Sequence, residues 1–364
     1  MNDELFRDGE LASRLLERIR TVARTLPVVK IMEVCGTHTM EIGRQGLRSL
    51  LPANIELLSG PGCPVCVTPG SVIDAAAQLA ARPHTTVMTF GDMIRVPGTT
   101  TSLQAAKAAG ASVIVATSPL QILEFASKDS SCQYVFVAVG FETTIPSVAA
   151  AVSQVKARGI SNASFLVSLR VVPEALDALV ADASIGLSGF LLPGHVSAII
   201  GEAPYQRLVK AGLPAAITGF EPLDILSGLL HVLEMIASGI PAVVNAYTRV
   251  VHKDGNPQAR AMIDAVFEPC DALWRGIGVI PGAGLRLRAE FASLDAEKRF
   301  GVTASGGAET MPAGCSCGEV LRGRMPPDKC PLFGTVCTPD NPVGPCMVSS
   351  EGSCAAYHRY GGLR

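Results

Sequence analysis

Two thiols stand two residues apart in Gly60-Pro61-Gly62-Cys63-Pro64-Val65-Cys66. Two glycines and two prolines disfavour helix and strand there and hold the turn in few conformations. A pair so spaced suits a closable disulfide or two ligands on one metal, against the plainer reading of two small core residues. A third thiol, Cys35, opens Cys35-Gly36-Thr37-His38, where an apolar run gives way to a helical pattern. Amides at a helix start favour a thiolate, so a depressed thiol pKa is expected at Cys35, as a nucleophile or soft metal ligand requires. His38, one turn on, is a candidate for metal ligation or proton transfer.

Six of the 11 cysteines lie in the tail: Cys315, Cys317, Cys330, Cys337, Cys346 and Cys354. From residue 301 the chain is rich in Gly and Pro and poor in long apolar runs, so it needs a staple. Paired Cys-x-x-Cys motifs of a zinc ribbon are absent from it. The uneven spacing, with Cys330-Pro331, suits an iron–sulfur cluster held by four thiolates; zinc is the alternative, and spacing does not say which two cysteines are spare. Glu142, in Gly140-Phe141-Glu142-Thr143-Thr144, lies in a strand-to-helix turn that lacks the lysine of a phosphate-binding loop. It reads as a site carboxylate or a helix cap, and His195 in Pro193-Gly194-His195 is equally ambiguous. Cys132 and Cys270 read as packing residues.

The elements that must position these groups follow a rhythm: apolar strand, Gly- or Pro-bearing turn, Ala-rich helix. Strands are expected at 28–34, 55–58, 86–90 and 111–116, and again at 134–139, 164–169, 189–192 and 215–218. Near-continuous apolar strands alternating with helices predict parallel sheets covered on both faces. The pattern predicts two similar parallel-sheet α/β domains facing a cleft, over 27–130 and 131–240, meeting near 128–131. An amphipathic helix within 1–26 is expected to pack on a Cys-rich C-terminal domain over 241–364, where 264–274 and 294–299 read as short helices. Ligands of such sheets bind at the carboxyl ends of the strands, which places Cys35, His38, Cys63, Cys66, Glu142 and His195 within possible mutual reach.

The 364 residues are 48% hydrophobic with a formal net charge of −2, which gives no electrostatic reason to expect nucleic acid or an anionic membrane as partner. No apolar run reaches the ~18 residues of a membrane span, and the first ten residues do not read as a secretory signal. The expected compartment is the cytoplasm, where clustered cysteines bind metal or do redox work.

Cys35-Gly36-Thr37-His38, Gly60 to Cys66, Phe90-Gly91-Asp92, Gly140 to Thr144, Pro193-Gly194-His195-Val196, Cys330-Pro331-Leu332-Phe333-Gly334 and Met347-Val348-Ser349-Ser350-Glu351-Gly352 together resemble the HypD family of [NiFe]-hydrogenase maturation factors. The resemblance implies a scaffold on which iron receives its cyanide and carbon monoxide ligands as Fe(CN)2CO, rather than a conventional turnover enzyme. It implies a HypC-type chaperone, a HypE-type cyanide donor with HypF upstream, and the hydrogenase large subunit as indirect recipient. By position, Cys35 matches the iron-holding cysteine and Cys63 with Cys66 the redox pair. Cys317, Cys330, Cys337 and Cys354 match the ligands of a 4Fe-4S cluster, leaving Cys315 and Cys346 spare. Two departures stand out: Arg170 follows Ser168-Leu169 where the family often has His nearby, and Gln121 follows Leu120 where Asp is frequent. The implied chemistry has Cys63 and Cys66 reduce a thiocyanate-like carrier and the cluster restore them. The alternative is an iron–sulfur-dependent oxidoreductase acting on protein disulfides, which would hold no iron beyond the cluster.

Overall fold

The computed structural model describes residues 7–304 and 311–361. Eleven strands are present among them: β1 Val29–Glu33, β2 Ile55–Ser59, β3 Thr85–Thr89, β4 Val113–Val115, β5 Gln133–Gly140, β6 Ala163–Arg170, β7 Gly189–Pro193, β8 Ala215–Thr218, β9 Val243–Asn245, β10 Phe267–Trp274 and β11 Gly278–Leu287. They form two sheets, ordered β2-β1-β7-β8-β9 and β10-β11-β6-β5-β3-β4. All neighbours in the first sheet are parallel, as are β4, β3, β5 and β6 in the second. The central strands are apolar on both faces; β7 is buried throughout and β5 at every position but its first. That is what strands sandwiched between helix layers require.

The α/β class and the two parallel-containing sheets agree with the sequence. The boundary near 128–131 does not. The chain lays down β1 and β2, leaves to build β3 to β6, then returns for β7, β8 and β9. One α/β unit is thus inserted into the other. The two share a spatial order all the same: β2-β1-β7-β8 and β4-β3-β5-β6 are both second, first, third, fourth. Nor is 241–364 separate from the sheets. β9 edges the first sheet, and the antiparallel β10–β11 hairpin joins the second through β6. The expected helix over 264–274 is the end of helix Pro257–Val266 followed by β10.

The N-terminal helix, Gly9–Ala23, is capped by Asp8, whose side chain accepts the N–H groups of Glu10 and Leu11. It does not lie on the Cys-rich region. Leu16, Ile19 and Ala23 pack with Ile225, Leu226 and Leu229 of helix Pro222–Ser238, in the same apolar cluster as Ile31 and Leu57 of the first sheet. Arg18 pairs with Glu234 at 2.7 Å. A second cluster runs without a break from the interior of both sheets to Cys317, Cys337, Cys346 and Cys354, so the tail shares their core. Among the described residues no helix is long and apolar enough to cross a membrane.

Candidate functional site

The first sheet reverses direction of growth between β1 and β7, because β2 lies on one side of β1 and β8 on the far side of β7. The crevice of an open α/β sheet sits at such a switch point. Cys35 follows β1 there and opens helix Gly36–Arg44, while Gly194 and His195 follow β7. The loop after β2 closes against Cys35. The Gly36 N–H donates to Gly62 O at 3.1 Å and the Gly60 N–H to Glu33 O at 2.8 Å. A Cβ on Gly62 would collide with the Cys35 backbone, so only glycine lets the two loops meet.

Cys63 and Cys66 face each other across one turn: the Cys66 N–H reaches Cys63 Sγ at 3.3 Å, and both thiols are free and buried. The tail segment 345–352 lies across these loops. Cys66 Sγ–H points at Pro345 O, 3.9 Å away. Thr37 Oγ1 donates to Glu351 Oε1 at 3.2 Å, and a Cβ on Gly36 would strike the Glu351 backbone. On the second sheet's edge, Ser349 Oγ donates to Asp92 Oδ2 at 2.7 Å and Arg95 Nη2 to Val348 O at 3.4 Å. The tail therefore ties together the carboxyl-end loops of both sheets.

Burial governs the ionisation of this cleft. It pushes the Cys35 thiol up to about 12, although the Thr37 and His38 amides at the helix start pull the other way and Glu351 adds a smaller upward push. The expected low pKa at Cys35 is thus reversed: desolvation outweighs the helix terminus. Burial also raises Cys66, reinforced by neighbouring Cys63, Cys354 and Glu351. It lifts Glu351 as well, against the Thr37 hydrogen bond. Glu142 is raised by burial to about 8; its Oε1 accepts the Val172 N–H at 2.8 Å, and Oε2 finds no partner among the described residues. Tyr205, fully buried, feels both Glu142 and Cys35 and hydrogen-bonds Ser197 Oγ at 3.0 Å. Since the Ser197 hydroxyl donates to Pro193 O, the Tyr205 phenol is the donor to Ser197.

His38 is buried, with Nε2 2.9 Å from both Gly219 O and Thr218 Oγ1. A carbonyl only accepts, so Nε2 carries the proton and Nδ1, which meets no partner among the described residues, is bare. Burial pulls the ring down to about 4, so it is neutral at pH 7. Its ring packs on Phe220, which stacks on exposed His195 at 4.0 Å between centroids. His38 thus gives Cys35 a backbone amide and anchors its helix to β8; its ring is poorly suited to carry a proton at neutral pH.

In the tail, Cys317 and Cys346 are joined in a disulfide. This pairs one expected cluster ligand with one expected spare cysteine. All six tail cysteines line one cavity with Leu332, Phe333 and Met347, and of them Cys315, Cys330, Cys337 and Cys354 are free. Cys354, raised by burial, feels Cys315, Cys337 and Cys330, and Cys315, also raised by burial, feels Cys330 and Cys337. Burial alone would raise Cys330, but the Ser316, Leu332 and Phe333 amides and the Ser316 hydroxyl hold it below the ordinary thiol value. The Val343 N–H points at Cys337 Sγ, 3.4 Å away. Among the described residues no three His, Cys, Asp or Glu side chains converge closely enough to hold one metal ion.

Sequence reasoning passed over Glu33, Asp92, Glu351 and Tyr205 as site residues. Glu33 had a signal, an acid inside an apolar strand; Asp92 and Glu351 lay within quoted motifs; Tyr205 had none. The two departures are accommodated locally. Arg170 Nη1 donates to Ser168 O and Oγ and Nη2 to Leu273 O, while Gln121 Oε1 accepts the Thr117 and Ser118 N–H groups.

The family model described as "Hydrogenase formation hypA family", HypD, matches residues 10–361. A hydrogenase maturation factor HypD of Rhodobacter capsulatus is 45% identical over 368 residues, 99% of this chain and 98% of the relative. That of Azotobacter vinelandii is 43% identical over 369 residues, 99% and 96% of the two chains. A putative hydrogenase expression/formation protein of Methanocaldococcus jannaschii is 39% identical over 354 residues, 97% and 98% of the two. With a family match spanning both sheets and the cysteine tail, and relatives of this identity along nearly their whole length, the chain belongs to the HypD family of hydrogenase maturation factors.

Proposed function

We propose that the chain is a cytoplasmic assembly scaffold for the Fe(CN)2CO unit of [NiFe]-hydrogenase, working with a HypC-type chaperone and a HypE-type cyanide donor. Cys35 holds the iron, which is cargo. Its proton leaves when the metal binds, so a high pKa keeps the free thiol unreactive until then. Cys63 and Cys66 supply the electrons that free cyanide from a thiocyanate-like carrier. The carrier S–CN bond breaks and the Cys63–Cys66 bond forms. The carrier sulfur leaves as a thiol, cyanide leaves as the anion, and one proton is released, so two thiol hydrogens are accounted for. Cyanide is a strong-field ligand that keeps ferrous iron low-spin.

The observation that carries this reading is the direct packing of the Cys35 loop on the Cys63–Cys66 loop through Gly62, with Cys66 beside the tail. Cys315, Cys330, Cys337 and Cys354 would hold a 4Fe-4S cluster, with Cys315 replacing Cys317 because the latter is engaged with Cys346. Such a cluster takes one thiolate per iron, so its ligands ring a volume and need not converge on a point; four free thiols around one cavity, with amides aimed at Cys330 and Cys337, suit it. When bound, it supplies electrons one at a time. The test is infrared spectroscopy of the chain purified anaerobically with its chaperone. Cyanide stretches should be present in the parent and absent from Cys66→Ser. Their persistence in that variant would refute the redox role of the pair.

A further inference from the structure

Glu33 is the last residue of β1 and fully buried. Its Oε1 accepts Thr39 Oγ1 at 2.6 Å, and the Cys35 amide and Ser59 hydroxyl also face the carboxyl group. Arg48 Nη2 donates to Ser59 Oγ at 3.3 Å and approaches Glu33 Oε1 at 3.7 Å. The Arg48 guanidinium lies over the Tyr357 ring, 4.7 Å from its centroid. Tyr357 belongs to helix Ser353–Tyr360, which also bears Cys354. The Glu33 carbonyl receives the Gly60 N–H that opens the Cys63–Cys66 loop. One residue therefore meets the Cys35 turn, the helix after it and the start of the dithiol loop, and is linked through Arg48 to the last thiol-bearing element.

We propose that Glu33 is the positioning residue of Cys35, and that Arg48 and Tyr357 carry its hold to the helix bearing Cys354. Removing this buried acceptor leaves the Thr39 hydroxyl only its longer bond to Cys35 O, at 3.4 Å, and takes away the oxygen that the Cys35 amide and Ser59 hydroxyl face. Thr39 is one turn into helix Gly36–Arg44, so its bond to Glu33 sets the angle at which that helix leaves the strand, and with it the direction of the Cys35 sulfur. The cation–π contact fixes Arg48 from its other face. The proposal rests on the iron-holding role given to Cys35 above, but its test needs no iron.

The full chain, reduced and anaerobic, is labelled with iodoacetamide, and the rate at Cys35 is followed by peptide mass spectrometry with Cys132 as internal reference. Glu33→Ala should raise the Cys35 rate relative to Cys132 by about tenfold, the factor that one lost buried hydrogen bond represents. Glu33→Gln keeps an oxygen for Thr39 and should stay within about twofold of the parent. Thr39→Val removes one donor with little change of volume and tests the same contact if Glu33→Ala does not fold. Arg48→Met should speed amide exchange of 353–360 by about tenfold. The proposal is overturned if Glu33→Ala and Thr39→Val both leave Cys35 labelling unmoved, if Gln behaves as Ala does, or if Cys132 accelerates equally, which marks general loosening. Should Cys35→Ser still hold iron while Glu33→Ala unmasks Cys35, the functional reading falls and the positioning role stands.

Discussion

The buried thiols of the cleft and the partly exposed Cys330 of the tail sit in surroundings that treat charge in opposite ways. Around Cys35 and Cys66, burial wins and both thiols are held in the neutral form. Glu142, Glu351 and His38 are pushed toward their neutral forms too. In the tail, three amides and a hydroxyl turn toward Cys330 and reverse the sign. Cys330 is the less buried, so the donors around it outweigh its desolvation, whereas Cys354, deeper in the same tail, is raised as the cleft thiols are. A regular helix start gives Cys35 two amides and the Thr37 hydroxyl, and the irregular loops around Cys330 give it three amides and the Ser316 hydroxyl. In the reading proposed above, a thiol that receives iron late gains from being neutral, and one that keeps a cluster gains from lying nearer its thiolate.

Serine scanning of the tail breaks this comparison most sharply. Cys315→Ser should lose nearly all iron and acid-labile sulfide, while Cys317→Ser keeps both, because only Cys315 belongs to the four free thiols around the cavity. The reverse result would restore the ligand set expected from the sequence. Next comes Glu142→Gln. Glu142 stands near 8 in the fold against an ordinary 4.5, so the folded chain binds the extra proton and stability falls as pH rises through that window. Glutamine removes the penalty and should stabilise the chain above pH 8 by at most about 5 kcal/mol, with little gain below pH 4.5, read from urea midpoints. His38 has the opposite sign. With its pKa lowered from 6.5 to about 4, its contribution is complete above pH 6.5 and is lost as pH falls toward 4.

Gly62→Ala should cost about 2 kcal/mol by forcing the two cleft loops apart, and should unmask Cys35 to alkylation while leaving tail iron in place. Loss of tail iron in this variant would show that cleft and tail are not separable. The smallest effect is expected of Ser349→Ala, which removes the hydrogen bond to Asp92 and should cost about 1 kcal/mol.

The strands and the turns that follow them were legible because apolar runs bounded by Gly and Pro are local signals. The motif residues at those turns did converge: Gly62 on Cys35, Glu351 on Gly36 and Thr37. Strand partners were not legible. A parallel pair has no hairpin to fix it, so nothing near β1 announces that its neighbour is β7. Phe267 to Trp274 read as helix because its apolar residues fit either period, and pairing with β11 decides the matter. The pKa of Cys35 was misjudged because helix starts show in a sequence and desolvation does not. The Cys317–Cys346 pairing is likewise a fact of three-dimensional proximity that spacing cannot supply.

The insertion of one α/β unit within the other has a consequence for synthesis. At ~5–20 residues per second, β7 leaves the ribosome on the order of ten seconds after β1 and β2, which wait for it before their sheet can close. During that interval Cys35, Cys63 and Cys66 belong to an open nascent chain, and the segment 345–352 that covers them arrives later still. Oxidants and stray metal ions meet these thiols before the mature protein hides them, so the yield of correctly folded chain depends on how reducing its surroundings are while translation runs.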